Sequence, residues 1–333
     1  MKAEATAKPQ AVLVTGGCGY IGSHVARQLS MAGHKAVILD DLSTGFRELL
    51  TQGQILIEGT CADKALVTKT IRDHNITTVM HFAASTVVPD SVSNPIKYYQ
   101  NNVVGSLALI EASLKGGIRN FIFSSTGSVY GEAAPVPVSE HHHPEPTNPY
   151  SRSKLITEIM LRDISAVTGL RYVILRYFNV AGADPEGRQG QKSKNATHLI
   201  KIASEVACGK RKSLSVFGTD YDTPDGTGVR DYIHVEDLAS AHLAAMQHLA
   251  GGGQSDIFNC GYGHGYSVLE VIRAVEAVTG KKLDVNIEPR RPGDISSSVA
   301  DNRKIKENLG WVPQHDDLKL IVKHALQWEK SLN

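Results

Sequence analysis

The chain has 333 residues, a formal net charge of +1 and charged side chains at 21% of its positions, values typical of a globular protein with a sizeable core. Balanced charge gives no indication of a nucleic acid or an anionic membrane surface as partner. No apolar run approaches the roughly 18 to 20 residues needed to cross a bilayer. The polar residues 1–10 predict a flexible extension without a signal peptide.

Short apolar runs rich in β-branched residues alternate with helix-like stretches through the first half of the chain. These runs predict strands that begin at Ala11, Ala36, Ile55, Thr78, Asn120 and Tyr172. Gly33 and Gly116 follow helical stretches, as is typical of helix C-termini. Such alternation predicts an α/β fold with a doubly wound, Rossmann-like parallel sheet.

After about residue 179 the alternation gives way to loops rich in Gly, Pro and Asp, such as 182–191 and 218–228. Helix and strand patterns return within 234–261. We therefore expect a Rossmann-like domain over residues 11–178, rejoined by about 232–260. A smaller, discontinuous mixed α/β domain for the substrate is expected within 179–333.

Cysteines occur at four separated positions, 18, 61, 208 and 260. They show neither CxxC spacing nor an adjacent histidine pattern, so the sequence predicts no disulfide framework and no metal site. Four reduced thiols are typical of a protein of the reducing cytoplasm.

Glycines at 16, 19 and 22 directly follow the first predicted strand and open a helix. Glycine there lets the backbone turn sharply and approach a pyrophosphate, whose charge the helix N-terminus favours. Asp40 ends the next strand, 18 residues beyond Gly22. A carboxylate at that place accepts hydrogen bonds from ribose hydroxyls and repels a 2′-phosphate, so NAD is predicted rather than NADP. The alternative is a structural glycine turn with a solvated aspartate.

Two further strand ends carry candidate site residues. Small residues close the fourth strand at 81–84, and hydroxyl residues close the fifth at 124–126. Ligands of doubly wound sheets bind beyond the carboxyl ends of the strands. Thr126 is a candidate hydrogen-bonding partner of a reacting hydroxyl, although Ser and Thr clusters more often cap helices and turns.

Tyr150 and Lys154 are four residues apart in a predicted helix and so share one face. A nearby cation favours the phenolate, and we expect Lys154 to lower the pKa of Tyr150 so that it can act as a general base. Beside a nicotinamide such a base indicates alcohol oxidation. Without the dinucleotide motif the same spacing would indicate an ordinary surface pair.

From about Val12 to the end, the chain resembles the extended short-chain dehydrogenase/reductase family, and within it the UDP-glucose 4-epimerases. The similarity rests on TGGCGYIGSH, LDDLSTG, VMHFAAS, NFIFSSTGSVYG, NPYSRSK, LRYFNVAGADPEG, GTDYDTPDGTGVRDYIHVEDLA and RRPGD.

This resemblance implies residue roles. The catalytic positions are Tyr150 as base, Lys154 and Thr126. The implied cofactor positions are Gly16, Gly19, Tyr20, Ile21, Gly22, Asp40, Asp41, Ser43, Thr44, Gly45, Thr60, Cys61, Phe82, Ala83, Ala84, Asn101, Ser124, Tyr150, Lys154 and Phe178. The implied UDP-sugar positions are Thr126, Tyr150, Asn179, His198, Leu199, Val216, Phe217, Arg230, Arg291, Asp294 and Ser298.

The sequence departs from the family pattern at several positions. Thr60 replaces an aspartate that contacts adenine in the family, and His198 stands where many relatives have asparagine. Ser298 occupies a gate position where a small side chain predicts acceptance of UDP-N-acetylhexosamines. Gly127 and Ser128 replace the acid and base pair that dehydratases place after the catalytic threonine.

The resemblance implies a cytoplasmic, homodimeric isomerase of galactose metabolism that depends on NAD. It would invert C4 of a UDP-hexose through a transient 4-keto sugar. A UDP-xylose/UDP-arabinose 4-epimerase is the alternative within the family. A dehydratase lacks its acid and base pair, and a non-catalytic NAD sensor would not need the intact Tyr150/Lys154 pair.

Overall fold

The computed structural model describes residues 9–132, 134–193, 197–291 and 294–332. Most of the predicted extension, residues 1–8, lies outside the described residues. The strands are β1 (Ala11–Thr15), β2 (Lys35–Asp40), β3 (Ile55–Glu58), β4 (Thr78–His81), β5 (Asn120–Ser124), β6 (Arg171–Tyr177), β7 (Asn179–Ala181), β8 (Leu214–Phe217), β9 (Val229–Arg230), β10 (Tyr232–His234), β11 (Asp256–Cys260), β12 (Tyr266–Ser267), β13 (Val285–Glu288) and β14 (Ser297–Ser298).

The helices lie between these strands and after them. They are α1 (Tyr20–Met31), α2 (Lys64–Asp73), α3 (Val88–Ser93), α4 (Pro95–Tyr98), α5 (Gly105–Lys115), α6 (Pro149–Val167), α7 (Leu199–Ala207), α8 (Val235–Ala250), α9 (Val268–Thr279), α10 (Arg303–Leu309) and α11 (Leu318–Ser331). Short 3-10 helices cover Arg47–Leu49 and Gly127–Tyr130, and a π-helix covers Tyr99–Val104.

Within the described part of the chain, seven parallel strands form the main sheet in the order β11, β6, β5, β4, β1, β2, β3. All six strands that the apolar patterns predicted are present in this sheet. The α/β, doubly wound fold is therefore confirmed. The order reverses between β1 and β4, and this switch point is where such sheets bind ligands.

The sheet separates two hydrophobic cores because successive side chains of a strand point to opposite faces. In β1, Val12 and Val14 pack with α1 and α8 on one face, whereas Leu13 packs toward α2 and α5 on the other. Helices on both faces explain why these strands are apolar without alternation.

The C-terminal part adds smaller sheets beside the carboxyl edge of the main one. β10 pairs with β7, β8 pairs with β13, and β9 lies between β12 and β14. β11 returns to the main sheet beside β6. The chain after residue 178 therefore contributes to both the main sheet and the small sheets that flank its carboxyl edge.

Candidate active site

The glycine loop after β1 packs too closely for side chains. Gly16 has a φ of +71°, and a Cβ there would lie 2.6 Å from the backbone nitrogen of Ala83. A Cβ on Gly22 would lie 2.3 Å from the Gly16 oxygen. α1 begins at Tyr20 with a glycine N-cap, so its first amides point out of the loop without side-chain cover. This geometry fits the pyrophosphate of a dinucleotide.

Asp40 lies under this loop and is 7% exposed. Its two carboxylate oxygens accept from the Cys18 and Leu42 amides, each at 2.9 Å. Burial raises the pKa of Asp40, and the two backbone donors oppose that rise. Each oxygen keeps a free lone pair for a ribose hydroxyl. Asp41 is exposed and instead accepts from the amide and hydroxyl of Ser43.

Tyr20 and Ile21 stand at the first two positions of α1. The Tyr20 hydroxyl donates to the Gly182 oxygen at 2.7 Å, so that side chain ties α1 to the segment after β7. Its backbone amide, rather than its hydroxyl, is available to a cofactor.

The segment after β3 carries the predicted adenine contacts. Thr60 is exposed, and its hydroxyl accepts from the Ala62 amide at 3.3 Å. Burial raises the pKa of Cys61 to about 12. The nearby carboxylate of Asp63 caps α2 by accepting from the Leu66 amide at 2.9 Å. Asp63 is therefore engaged in capping α2 and does not supply the carboxylate that the family has at position 60.

The ends of β4 and β5 lie side by side at the switch point. Beyond β4, the Phe82 ring packs 4.7 Å from the His242 ring, and the Ala83 amide donates to Thr15. The predicted contacts Ala84 and Asn101 lie beyond this strand end and in the π-helix. At the end of β5, the Ser124 hydroxyl pairs with His242 Nε2 at 2.8 Å.

Thr126 has the capping role considered from the sequence, and its hydroxyl also lies near Tyr150. Its Oγ1 accepts from the Ser128 amide at 3.1 Å, which caps the 3-10 helix at Gly127–Tyr130. The same hydroxyl lies close enough to the Tyr150 side chain to oppose the effect of burial on the pKa of Tyr150. A capped hydroxyl keeps its own proton free to donate to a tyrosine oxygen.

Tyr150 lies in the first turn of α6 and is 8% exposed. Burial raises its pKa to about 12, and the Thr126 hydroxyl opposes that rise. The sequence predicted a pKa lowered by Lys154. In the structure, burial has the larger effect because desolvation disfavours the phenolate.

Lys154 follows one turn later, is 3% exposed, and lies 4.9 Å above the Phe123 ring. Burial lowers the pKa of Lys154 to about 7, and the carboxylate of Glu158 opposes that change. Its Nζ donates to the Ser124 backbone oxygen at 2.8 Å. Helix spacing places Lys154 on the same face of α6 as Tyr150, and its hydrogen bond goes to the end of β5.

A second group of predicted residues lies in the small sheets. The Arg291 Nε donates to Asp294 at 2.9 Å, and its guanidinium lies 4.4 Å from the Phe217 ring. Arg230 lies 4.0 Å from the same carboxylate. Ser298 stands opposite Arg230 in the β9/β14 pairing. Two guanidinium groups with a shared carboxylate suit a diphosphate and a ribose.

The remaining predicted substrate residues differ in whether their side chains are accessible to a ligand. Asn179, His198 and Leu199 line one pocket together with Tyr232 and Trp328. The side chain of Val216 is fully buried in the core, so only its backbone is available to a ligand. Phe178 connects this side to the turn after Thr126, because a Cβ on Gly127 would lie 2.9 Å from its ring.

Comparison with known proteins agrees with this arrangement. Residues 12–261 match the NAD dependent epimerase/dehydratase family. The chain belongs to this family.

The similarity to individual members of the family extends over almost the whole chain. A UDP-glucose 4-epimerase of Azospirillum brasilense is 54% identical over 98% of this chain and 94% of its own. The crystal structure of UDP-glucose 4-epimerase from Brucella ovis in complex with NAD has a TM-score of 0.93 and 42% identity, covering 95% of this chain and 97% of its own. The UDP-Glc/GlcNAc 4-epimerase from Campylobacter jejuni has a TM-score of 0.85 and 46% identity, covering 97% and 99%.

For this member of the NAD dependent epimerase/dehydratase family, the predicted NAD cofactor and isomerase class are confirmed. No described helix is long and apolar enough to cross a membrane. No described group of His, Cys, Asp and Glu side chains has the arrangement of a metal site.

The sequence reasoning missed two buried side chains of this site. Asn102 donates from Nδ2 to the Ser153 hydroxyl at 2.9 Å and so ties the π-helix to α6 beside Lys154. A single-turn π-helix often marks a functional site, but no sequence pattern predicts one. Glu158 is fully buried one turn beyond Lys154. Its spacing of four from Lys154 was the one available signal.

Proposed function

We propose that this chain is an NAD-dependent UDP-glucose 4-epimerase, which interconverts UDP-glucose and UDP-galactose. The observation that carries this proposal is the placement of buried Tyr150 and Lys154 on one face of α6, with the Lys154 ammonium hydrogen-bonded to the Ser124 oxygen at the carboxyl edge of the sheet. The dinucleotide loop lies at that same edge, and Phe178 and Asn179 continue from it toward the arginine pair. The names of the relatives support the same substrate.

NAD, when bound, supplies the acceptor that takes the C4 hydrogen with its electron pair and later returns it. The chain's own part begins with Tyr150, which takes the proton of the 4-hydroxyl and returns it to the same oxygen after the 4-keto sugar has turned over. Thr126 donates to the tyrosine oxygen and lowers the cost of its negative charge. Lys154, anchored on Ser124, adds a positive charge on the same face of α6.

Arg230, Arg291 and Asp294 hold the part of the substrate that does not react. Guanidinium groups bind phosphate oxygens bidentately, and a carboxylate accepts from ribose hydroxyls. The Phe217 ring beneath Arg291 fixes the guanidinium plane. Holding the nucleotide while the sugar is free to turn lets either face of C4 approach the same base, which is what inversion requires.

Product analysis after incubation with UDP-galactose, without added NAD, tests this function. A 4-epimerase gives UDP-glucose up to a fixed equilibrium ratio. A dehydratase would give a product lighter by one water, and a non-catalytic NAD sensor would leave UDP-galactose unchanged. UDP-xylose in a parallel reaction tests the pentose alternative, which a strong preference for that substrate would support.

We also infer a homodimer that forms through paired helices. Apolar side chains are exposed along the face made by α4, the π-helix, α5 and α6, where Ile96 is 67% and Val104 is 57% exposed. Leu107 and Ile159 extend the same apolar surface. Contiguous exposed apolar surface marks an interface. Sedimentation of the wild type and of an Ile96→Asp, Val104→Asp double variant tests it, and an unchanged mass would contradict it.

A cytoplasmic location is part of the same proposal. The four cysteines are free, and burial raises the pKa of the Cys18, Cys61 and Cys260 thiols. Unpaired, protonated and mostly buried thiols suit a reducing compartment.

A further inference from the structure

Glu158 lies on the face of α6 that carries the proposed catalytic pair. Tyr150, Lys154 and Glu158 are spaced four residues apart, so they form one row along the helix. Glu158 is fully buried. A buried carboxylate is costly unless charged and hydrogen-bonding partners surround it. Its partners therefore indicate what it does.

One partner joins Glu158 to the strand end that holds the catalytic hydroxyls. The Ser125 hydroxyl donates to Glu158 Oε1. Ser125 lies between Ser124, whose oxygen accepts from Lys154, and Thr126, whose hydroxyl opposes the effect of burial on the pKa of Tyr150. The Glu158 carboxylate therefore holds the segment 124–126 in place. Residues Ser124 and Thr126 of this segment are the ones near Lys154 and Tyr150.

The other partner is the fully charged side chain of Arg176 in β6. Its Nε and Nη2 donate to the two carboxylate oxygens at 3.1 and 2.5 Å, in the bidentate arrangement that guanidinium favours. Arg176 also lies 4.8 Å above the ring of Tyr130, in the 3-10 helix that Thr126 caps. The pair therefore braces β5, β6 and α6 together.

The charge of Glu158 also acts on Lys154. Burial lowers the pKa of Lys154 to about 7, and the Glu158 carboxylate opposes this. The other titratable groups that face this region are His81 in β4, Tyr150 in α6 and Tyr177 in β6. Without NAD, none of these three groups places a negative charge beside Lys154, since burial lowers the pKa of His81 to about 3 and raises those of both tyrosines.

We propose that Glu158 is a positioning residue of the reaction, whose buried carboxylate stands one helical turn from Lys154 and holds the Ser124–Thr126 strand end against α6. The proposal rests on the proposed function for the identity of the reaction. The ionisation of Lys154 does not depend on which sugar nucleotide is used.

The first experiment compares Glu158→Gln with the wild type and with Glu158→Asp. The amide keeps the size of the side chain and removes its charge. For Glu158→Gln with UDP-galactose, we expect kcat at pH 7.5 to fall roughly tenfold with KM changed less than about twofold, because about one unit of pKa is a tenfold change in the protonated fraction. The loss should shrink toward pH 6, where Lys154 regains its proton, and Glu158→Asp should recover most of the activity.

The direct readout is the protonation of Lys154 itself. In protein carrying lysine labelled with carbon-13 at Cε, the Lys154 signal is assigned by its absence in Lys154→Met. We expect its titration midpoint to move to lower pH in Glu158→Gln. Glu329→Gln is the matched control, since Glu329 is 2% exposed and pairs with Lys201 and Lys210 in another region. It should lose thermal stability while keeping the wild-type pH profile and Lys154 midpoint.

A double variant, Glu158→Gln with Arg176→Met, covers the case in which the single variant does not fold, because it leaves no unpaired arginine in the core. A lowered Lys154 midpoint in either variant supports the proposal. A wild-type midpoint together with a wild-type pH profile overturns it and leaves Glu158 a structural residue. If the wild type does not convert UDP-galactose, the proposed function fails while the lysine titration still reports on Glu158.

Discussion

Lys154 is joined to Ser124 by a hydrogen bond of 2.8 Å from its Nζ to the backbone oxygen. The acceptor is a main-chain atom at the last residue of β5, so no side-chain substitution at Ser124 removes it. The ammonium is thereby fixed relative to the sheet edge rather than to the helix alone. This anchor holds Lys154 at the carboxyl edge of the sheet, where the dinucleotide loop also lies.

Replacing Tyr150 with Phe should lower kcat by about 10² to 10⁴-fold, the usual contribution of a general base. The ring still fills its buried position, so folding and nucleotide binding should stay intact. Turnover of UDP-galactose and calorimetric titration with UDP measure the two effects. Full activity in this variant would rule out Tyr150 as the base.

Asp40→Asn should weaken NAD binding by about tenfold and reduce the preference for NAD over NADP. The amide cannot accept from both the Cys18 and Leu42 amides, which now donate to the two carboxylate oxygens. Removing the negative charge also relieves repulsion of a 2′-phosphate. Fluorescence titration with NADH and NADPH measures this. Asp41→Asn is the control, because Asp41 is exposed and holds Ser43 instead.

Arg291→Gln should raise the Kd for UDP roughly 10 to 100-fold, since a hydrogen bond to a charged group contributes about 1.5 to 3 kcal/mol. The adjacent Arg290 offers a matched control, because it pairs with Asp220 and lies 4.1 Å from the Tyr221 ring. Arg290→Gln should leave the Kd within about twofold. Equal effects of the two substitutions would argue against a specific role for Arg291.

Ser298→Tyr should remove activity on UDP-N-acetylglucosamine and retain activity on UDP-glucose. The residue stands opposite Arg230 in the β9/β14 pairing. Backbone hydrogen bonds fix its main chain there, beside the predicted nucleotide contacts. A large ring there fills the space that an N-acetyl group needs. Parallel assays with both substrates measure the ratio. A wild type without activity on the acetylated sugar would contradict the premise.

Glu236→Gln should lower the free energy of unfolding by about 3 kcal/mol at pH 7, because it breaks a buried ion pair. Burial alone would raise the pKa of Glu236, but His24, Arg27 and Gln28 together hold it well below its usual value. A carboxyl with a depressed pKa stabilises the fold above its unfolded pKa and loses that effect as the pH falls through the folded value. The difference from the wild type should therefore shrink below about pH 4. Urea unfolding at pH 7 and pH 3 measures it, and a constant difference would contradict this account.

Much of the architecture followed from local pattern alone. The glycines at 16 and 22 were predictable because a residue without Cβ is required where backbones approach within 3 Å. Tyr150 and Lys154 share a face because helix geometry fixes the positions of residues four apart. The apolar strands are continuous because helices cover both faces of the sheet.

The sequence by itself determined the fold class, the dinucleotide loop and the shared helix face of Tyr150 and Lys154, since each depends on spacing along one element. Tertiary structure decided their electrostatics. The pKa of Tyr150 rises because of burial among elements distant in sequence, and Lys154 bonds to a strand end 30 residues away. The partners of Glu158 likewise come from β5 and β6. Desolvation and long-range contacts have no signature in local sequence, so only the folded chain sets which groups are charged.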